Sequence, residues 1–328
     1  MMSTDKQPAV VRIPELAEII EAAERIAPHV EESPVLELPL GLPGKRIFIK
    51  DEGHNQAGAF KLRGALNAVL SRPRSEISGG VCTVSSGNMA YAVATAARIV
   101  GVPMAAYMYA HAPRSKIEGV RANGGEVRVV SDETYWSYAL GQTSPDTDWS
   151  YIYPVTDQAV ITGHASIGLE IAQQVPDVDL VLTPYGAGGL TTGTASALHR
   201  LGHKAEVIAV EADVATPVTA ALTAGHPVTV PMKRSFVKAI GAPTVIDGVW
   251  SAARQLVRRS TVVTLEQTTD AIRLLFEKAK IVTEGASATA LAAAIHDPAL
   301  TGTILCVLSG RNIDAADYAT VLQGGIPE

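Results

Sequence analysis

Cysteine is nearly absent. Cys82 and Cys306 are the only two, and both fall in apolar, strand-like runs. That rules out a disulfide scaffold and reads as two buried free thiols in a reducing, cytoplasmic compartment. No Cys or His pair stands at ligand spacing, so no zinc site is expected. His29, His54, His111, His199, His203, His226 and His296 are scattered and read as surface or structural residues. Charge is sparse as well, at 18% of residues with a formal net charge of −6. This balance argues against a nucleic-acid partner, which selects basic surfaces. No apolar run approaches the roughly 20 residues needed to span a bilayer, so no membrane partner is expected. No signal-peptide core accompanies Asp5, Lys6 and Arg12.

What the chain does have is apolar residues, 47% of 328, enough for two α/β lobes or one large domain. Leu16, Ile19, Ile20, Ala23 and Ile26 make one stripe on a helix spanning Pro14 to Ile26. Strands and helices then alternate. Ile47–Lys50 is a strand and Lys61–Leu70 a helix stopped by Pro73. Strands at Val81–Val84, Met104–Met108 and Glu126–Val130 alternate with helices Met89–Val100, Arg114–Asn123 and one from Asp132. Ser144–Ser150 reads as a surface loop. A second series runs through a helix His164–Val175, a strand Leu180–Thr183, a helix Leu190–Leu201, a strand Glu206–Val210 and a helix Pro217–Ala224. Gly225–Trp250 reads as irregular. Val262–Leu265, helices Glu266–Lys280 and Ser287–Ile295, a strand Thr303–Leu308 and a helix near Asp314–Leu322 complete it. Such alternation implies an α/β fold with mainly parallel sheets flanked by helices.

Open α/β sheets bind ligands beyond the carboxyl ends of their strands, and the chemically loaded stretches lie there. The stretch Lys50–Gly64 reads K-D-E-G-H-N-Q-A-G-A-F-K-L-R-G. It puts Lys61 at a helix N-terminus, where the macrodipole disfavours a cation and depresses an ammonium pKa. A neutral amine is a nucleophile toward aldehydes; the alternative is a solvated surface lysine. Ser85-Ser86-Gly87-Asn88 offers backbone N–H groups to an anion such as a carboxylate, and equally suits plain N-capping. Gly186-Ala187-Gly188-Gly189 lets backbone amides close on a phosphate, Ala187 being tolerated if its φ is negative. The same loop partly fits a dinucleotide fingerprint, with Thr191 in place of its third glycine and Glu211 ending the next strand. Ser309-Gly310-Arg311-Asn312 and Glu284-Gly285-Ala286 serve either as site elements or as a turn and a first-turn acid.

The five stretches, in this order and spacing, resemble the fold-type II pyridoxal-phosphate enzymes, in the threonine dehydratase and serine racemase branch, from about Ile13 to Leu322. The Schiff-base segment of that family reads K-x-E-x-x-Q-x-[ST]-G-S-F-K-x-R-G. Lys50, Glu52, Gly58, Phe60, Lys61, Arg63 and Gly64 match it, whereas Asn55, Ala57 and Ala59 depart. Met89 stands where the family has His, and Arg311 where it has Gly.

The resemblance implies a tryptophan-synthase-β-like fold. A large cofactor-binding domain (1–73 and 154–328) would flank a small mobile one (74–153), in a homodimer. It implies pyridoxal 5′-phosphate bound through Lys61, with Phe60, Asn88, Gly186, Ala187, Gly188, Gly189, Leu190, Glu284 and Ser309 around it. The carboxylate of a small amino-acid substrate would lie on Ser85, Ser86, Gly87 and Asn88. Lys61 would remove the α-proton, and Ser86 would be the acid/base on the opposite face. A divalent cation at Glu211 is implied too, although Pro217 stands where the branch has its partner Asp. The activity implied is an ammonia-lyase on a threonine- or serine-like β-hydroxy amino acid. A racemase, a β-replacement synthase, a nucleotide-dependent oxidoreductase and a catalytically silent binding protein are the competing readings.

Overall fold

A computed structural model describes residues 10–112, 114–139, 142–145 and 147–328. Asp5 and Lys6, and Asp146 of the expected 144–150 loop, lie outside the described residues. The elements in order are α1 (Leu16–Ile26), β1 (Val35–Glu37), β2 (Lys45–Asp51), α2 (Lys61–Leu70), α3 (Arg74–Ile77), β3 (Val81–Val84), α4 (Asn88–Val100) and β4 (Met104–Tyr109). There follow α5 (Arg114–Ala122), β5 (Glu126–Val130), α6 (Asp132–Ala139), β6 (Ser150–Tyr151), α7 (Gln158–Gln174), β7 (Leu180–Pro184), α8 (Gly189–Arg200) and β8 (Glu206–Ala212). The chain continues through α9 (Pro217–Ala224), α10 (Asp247–Leu256), β9 (Arg259–Val263), α11 (Leu265–Leu274), α12 (Gly285–His296), β10 (Gly302–Leu308) and α13 (Ala315–Leu322).

Two sheets form. The larger has six strands in the order β1-β2-β10-β7-β8-β9 and the smaller four in the order β5-β4-β3-β6. Every pairing is parallel except β1 with β2. The α/β class with mainly parallel, helix-flanked sheets is therefore what the chain adopts. Central strands such as β3 and β7 are buried at every position, which is why they read as unbroken apolar runs rather than alternating ones. Each fully buried Val, Leu or Ile there contributes about 1.5–3 kcal/mol.

Several expectations shift. On α1 the buried stripe is Ile19, Ala22 and Ile26, while Ile20 is 42% exposed. One residue's turn of the helix separates the two assignments. Helix α7 begins at Gln158, capped by Asp157, whose side chain accepts from the Ala159 N–H. Ser150 opens a short strand beside β3 rather than closing a loop. The strand expected at Val262–Leu265 is Arg259–Val263, because Thr264 is used as the N-cap of α11 in a capping box with Gln267. That helix passes into a π-helical turn, Leu275–Ala279, and ends on Lys280 at φ 61°. Within the stretch read as irregular, α10 starts at Asp247 and buries Val249, Trp250, Ala252 and Ala253.

Helix α7 fixes the geometry of the site. It packs on α2 where Gly163 meets Gly64: a Cβ on Gly163 would come within 2.6 Å of the Arg63 carbonyl oxygen and 2.9 Å of Gly64 Cα. It packs on α8 where Gly168 faces Thr194, a Cβ there falling 2.5 Å from the Thr194 carbonyl oxygen. No side chain fits at either crossing, so α7 holds the N-termini of α2 and α8 at a set distance from each other.

Candidate active site

The N-termini of α2 and α8 and the loop after β10 converge on one cleft. Phe60 and Lys61 enter from α2. Asn88 comes from α4, Gly186 to Leu190 from the turn into α8, and Glu284 from the N-cap of α12. Ser309 follows β10, and Pro154, Val155, Ala239 and Ile240 close the walls. A wider, open depression beside Asp247, Trp250 and Arg254 has no comparable convergence of backbone amides and ionisable groups.

Lys61 is the first residue of α2, which has no acid in its first turn. Its Nζ lies 4.4 Å from the centroid of the Phe60 ring. Burial pushes its ammonium pKa down to about 8, against an opposing pull from the Glu284 carboxylate. Glu284 is itself shifted upward by burial and accepts from Asn88 Nδ2 at 2.7 Å. Asn312 Nδ2 donates to Asn88 Oδ1 at 3.0 Å and to the Ala57 carbonyl at 2.9 Å. These contacts join four of the stretches that the sequence singled out.

The glycine turn is shaped as a cup. Gly188 has φ 91°, a conformation that favours glycine. A Cβ on Gly186 would stand 2.8 Å from the Ala239 carbonyl oxygen. Ala187 is not among the described residues with positive φ, which explains how a side chain is tolerated there. The α8 N-terminus adds free N–H groups and the positive end of its dipole.

Other matching residues do something different. Arg63 and Lys50 are buried with Glu52 and Glu170 in a charge-balanced cluster beneath the cleft. Arg63 Nε donates to Glu52 at 2.7 Å and Arg63 Nη2 to Glu170 at 2.9 Å, while Lys50 Nζ donates to Glu170 at 2.6 Å. Ser33 and Ser166 complete the bonding. This cluster ties β2, α2 and α7 together and does not line the cleft. Asn55 closes the turn before Lys61: its amide donates to the Glu52 and Ala59 carbonyls and accepts from the Ala57 N–H. Ala57 and Ala59 are fully buried, and Ala59 bridges Gly310. Met89 is buried in the apolar core of the four-stranded sheet. Arg311 is exposed and packs its Cβ and Cγ over Gly53 and its Cγ over Gly58, so it extends toward solvent.

The sequence reading missed His164. This residue lies inside α7 and is fully buried. Its ring centroid is 4.7 Å from that of Phe60, and it occupies the space a Cβ would need at Gly64 and Gly193 and lies against Gly189. Neither ring nitrogen has a well-formed hydrogen bond. Burial, then Lys61 and Arg63, hold its pKa well below the usual range. The available signal was a histidine set among small residues, T-G-H-A-S.

Glu211, the expected cation ligand, accepts from the N–H groups of Val218 and Thr219 and from Thr219 Oγ1. Both of its oxygens are thus taken by the N-terminus of α9. Among the described residues, no group of three His, Cys, Asp or Glu side chains gathers to hold a metal.

A profile of the family described as "Pyridoxal-phosphate dependent enzyme" matches residues 26–310. The chain belongs to this family. It is similar to an L-threonine ammonia-lyase of Geobacter sulfurreducens, 34% identical over 316 residues, covering 94% of this chain and 78% of the relative. It is likewise similar to a serine racemase of Oryza sativa subsp. indica, 33% identical and covering 90% of each chain. The structure of maize serine racemase superposes with a TM-score of 0.87 at 31% identity, covering 97% of this chain and 98% of the other. These relatives belong to the threonine dehydratase and serine racemase branch of the pyridoxal-phosphate enzymes.

The cleft suits the family's cofactor. A phosphate would have the Gly186–Gly189 cup at a helix N-terminus, an aldehyde the amine of Lys61, and a pyridine ring the neutral hydroxyl of Ser309. The cup cannot be filled from within, because Gly188 favours no side chain at φ 91° and Gly186 has no room for one.

Proposed function

We propose that this pyridoxal-phosphate enzyme is an ammonia-lyase that converts a β-hydroxy amino acid of the threonine or serine type to a 2-oxo acid and ammonia. The observation carrying this reading is Lys61, a lysine amine with its pKa depressed to about 8, in the cleft shared by the glycine cup and Ser309. When bound, the cofactor supplies the electrophilic carbon and the electron sink that make the α-proton acidic. The chain supplies the rest. Backbone N–H groups of the Ser85–Asn88 loop, other than that of Ser85 itself, which donates to the Tyr107 carbonyl, orient the substrate carboxylate. The Lys61 amine takes the α-proton and gives it to the β-hydroxyl, which departs as water, and hydrolysis of the released enamine consumes one water and yields the 2-oxo acid and ammonia. Ser309 would offer the ring nitrogen a neutral hydroxyl rather than a full charge. Glu284 fixes Asn88, and Phe60 and Leu190 exclude water.

In this reading residues 74–153, which contribute all strands of the smaller sheet, form a lobe that moves against 1–73 and 154–328. A homodimer, as the family resemblance implies, belongs to the same reading and is tested by analytical ultracentrifugation, and the two buried thiols support a cytoplasmic setting. One observation favours racemisation as a second activity: Ser86 Oγ is buried and makes no well-formed hydrogen bond, as a hydroxyl waiting for a substrate would be.

The test is Lys61→Ala together with chiral and 2-oxo-acid product analysis. The variant should lose both the yellow chromophore and product formation. A Lys61→Ala protein that still deaminates threonine or serine overturns the assignment, and D-isomer without 2-oxo acid from the wild type assigns a racemase instead.

A further inference from the structure

The loop that is to hold a substrate carboxylate already has backbone donors engaged. The Ser86 N–H donates to the hydroxyl oxygen of Tyr135 at 3.3 Å. Beside it the Gly87 N–H donates to Ser85 Oγ at 3.2 Å. Ser86 Oγ lies against the same phenol without a well-formed bond of its own. Tyr135 therefore puts an oxygen where one carboxylate oxygen of an amino acid would sit.

We infer that Tyr135 is a specificity-determining residue: its hydroxyl holds the substrate-carboxylate loop in the free protein and must be displaced before an amino acid binds. This inference rests on the function proposed above.

The position of Tyr135 favours displacement. It lies on α6, none of whose described residues is fully buried. Its ring makes edge contacts to Tyr109 at 4.9 Å and to Trp136 at 5.4 Å and packs with Tyr138 and Ala139 against the buried cluster of Cys82, Val84, Ala105 and Tyr107, while Trp136 is 51% exposed. The packing holds the ring, so displacement asks only that the hydroxyl at its tip give up the Ser86 N–H.

The chemistry also narrows the substrate. A phenol with its pKa raised by burial is neutral and offers no charge to a second carboxylate. Of the cations on adjoining segments, Lys116 donates to the Asn312 carbonyl at 2.8 Å and is already balanced by the Glu284 and Asp314 carboxylates, and Arg311 extends toward solvent. A monocarboxylate amino acid is therefore accepted ahead of a dicarboxylate, whose extra charge would be left unpaired.

The experiment uses the cofactor-loaded protein and L-alanine, which has no β-leaving group, as the probe. Tyr135→Phe keeps the ring contacts and removes the competing oxygen. L-Alanine should bind it about two- to tenfold more tightly than it binds the wild type, the worth of one neutral hydrogen bond. With a β-hydroxy substrate the change should fall on KM rather than kcat. The Ser86 amide should exchange hydrogen faster in unliganded Tyr135→Phe, and added L-alanine should restore its protection. L-Aspartate should bind the wild type at least about tenfold more weakly than L-alanine. L-Alanine binding that is unchanged or weaker in Tyr135→Phe overturns the displacement, and L-aspartate binding as tightly as L-alanine overturns the substrate class. If the loaded protein carries no cofactor chromophore, the proposed function fails and this inference falls with it. If the chromophore is present but L-alanine binding does not respond, the Tyr135 role alone fails.

Discussion

Lys61 offers the sharpest test of the site. Its ammonium is pushed from 10.5 down to about 8 by burial, with Glu284 pulling the other way. At pH 7 a lysine at 10.5 is neutral in roughly 0.03% of molecules and one at 8 in roughly 10%, about a 300-fold difference in reactive amine. Uptake of pyridoxal phosphate by the apoprotein, followed by absorbance, should therefore quicken about tenfold per pH unit and level off near pH 8. Glu284→Gln removes the carboxylate that stabilises the ammonium, so its midpoint should fall below the wild-type value. Stability should respond as well. Between about pH 8 and about pH 10.5 the unfolded chain keeps a proton that folded Lys61 has lost, so apoprotein stability should rise across that window and rise less in Lys61→Met. An uptake profile that keeps climbing to about pH 10 would show a solvated amine and refute the reasoning.

Three further perturbations probe the framework. Arg63→Ala strands Glu52 and Glu170 without their shared cation and should cost about 3–5 kcal/mol in urea unfolding, whereas Arg63→Lys should cost less yet not be neutral, because one ammonium cannot reproduce the forked contacts. Gly163→Ala places a methyl 2.6 Å from the Arg63 carbonyl oxygen and 2.8 Å from Asn67 Cβ. It should destabilise by about 1–3 kcal/mol and lower cofactor occupancy at a fixed cofactor concentration, measured by absorbance after gel filtration. His164, held well below 6.5, stays neutral in the fold but takes a proton when unfolded. Stability should thus be lost as pH falls below about 6.5, and His164→Gln should flatten that slope in pH-dependent melting.

What the sequence made legible was local. Lys61–Leu70, Val81–Val84 and Pro217–Ala224 stand where periodicity and punctuation put them, since a Pro, a Gly or a run of β-branched residues acts within a few positions. The α10 helix was hidden because its apolar face begins immediately after a Pro- and Gly-rich approach, with only Asp247 to mark the start. Strand β1 is three residues long and depends on its antiparallel partner rather than on its own pattern. The direction taken by Arg311 was not legible at all. It follows from how the aliphatic stem crosses Gly53 and Gly58, two glycines more than 250 residues upstream in a loop whose conformation the sequence does not disclose.

The same distinction explains the site. A motif in the sequence mixes residues that touch the ligand with residues that hold those residues in place. Of the seven family matches in Lys50–Gly64, only Phe60 and Lys61 line the cleft; Lys50, Glu52 and Arg63 form the ion cluster below it, and Gly64 gives α7 room to approach. Gly163 and His164 belong to that supporting layer as fully as Gly64 does, yet they lie far along the chain, and no local pattern links them to Lys61. A helix glycine normally costs stability relative to alanine, so Gly64, Gly163, Gly168 and Gly193 in helix interiors are locally unfavourable choices. They become favourable once α7 is seated between α2 and α8, because only then does a missing Cβ set the spacing between an amine and a phosphate cup. Chemistry at Lys61 is therefore sensitive to substitutions on α7 that never contact the ligand, and reduced cofactor affinity without loss of fold is the signature that separates them from ordinary core damage.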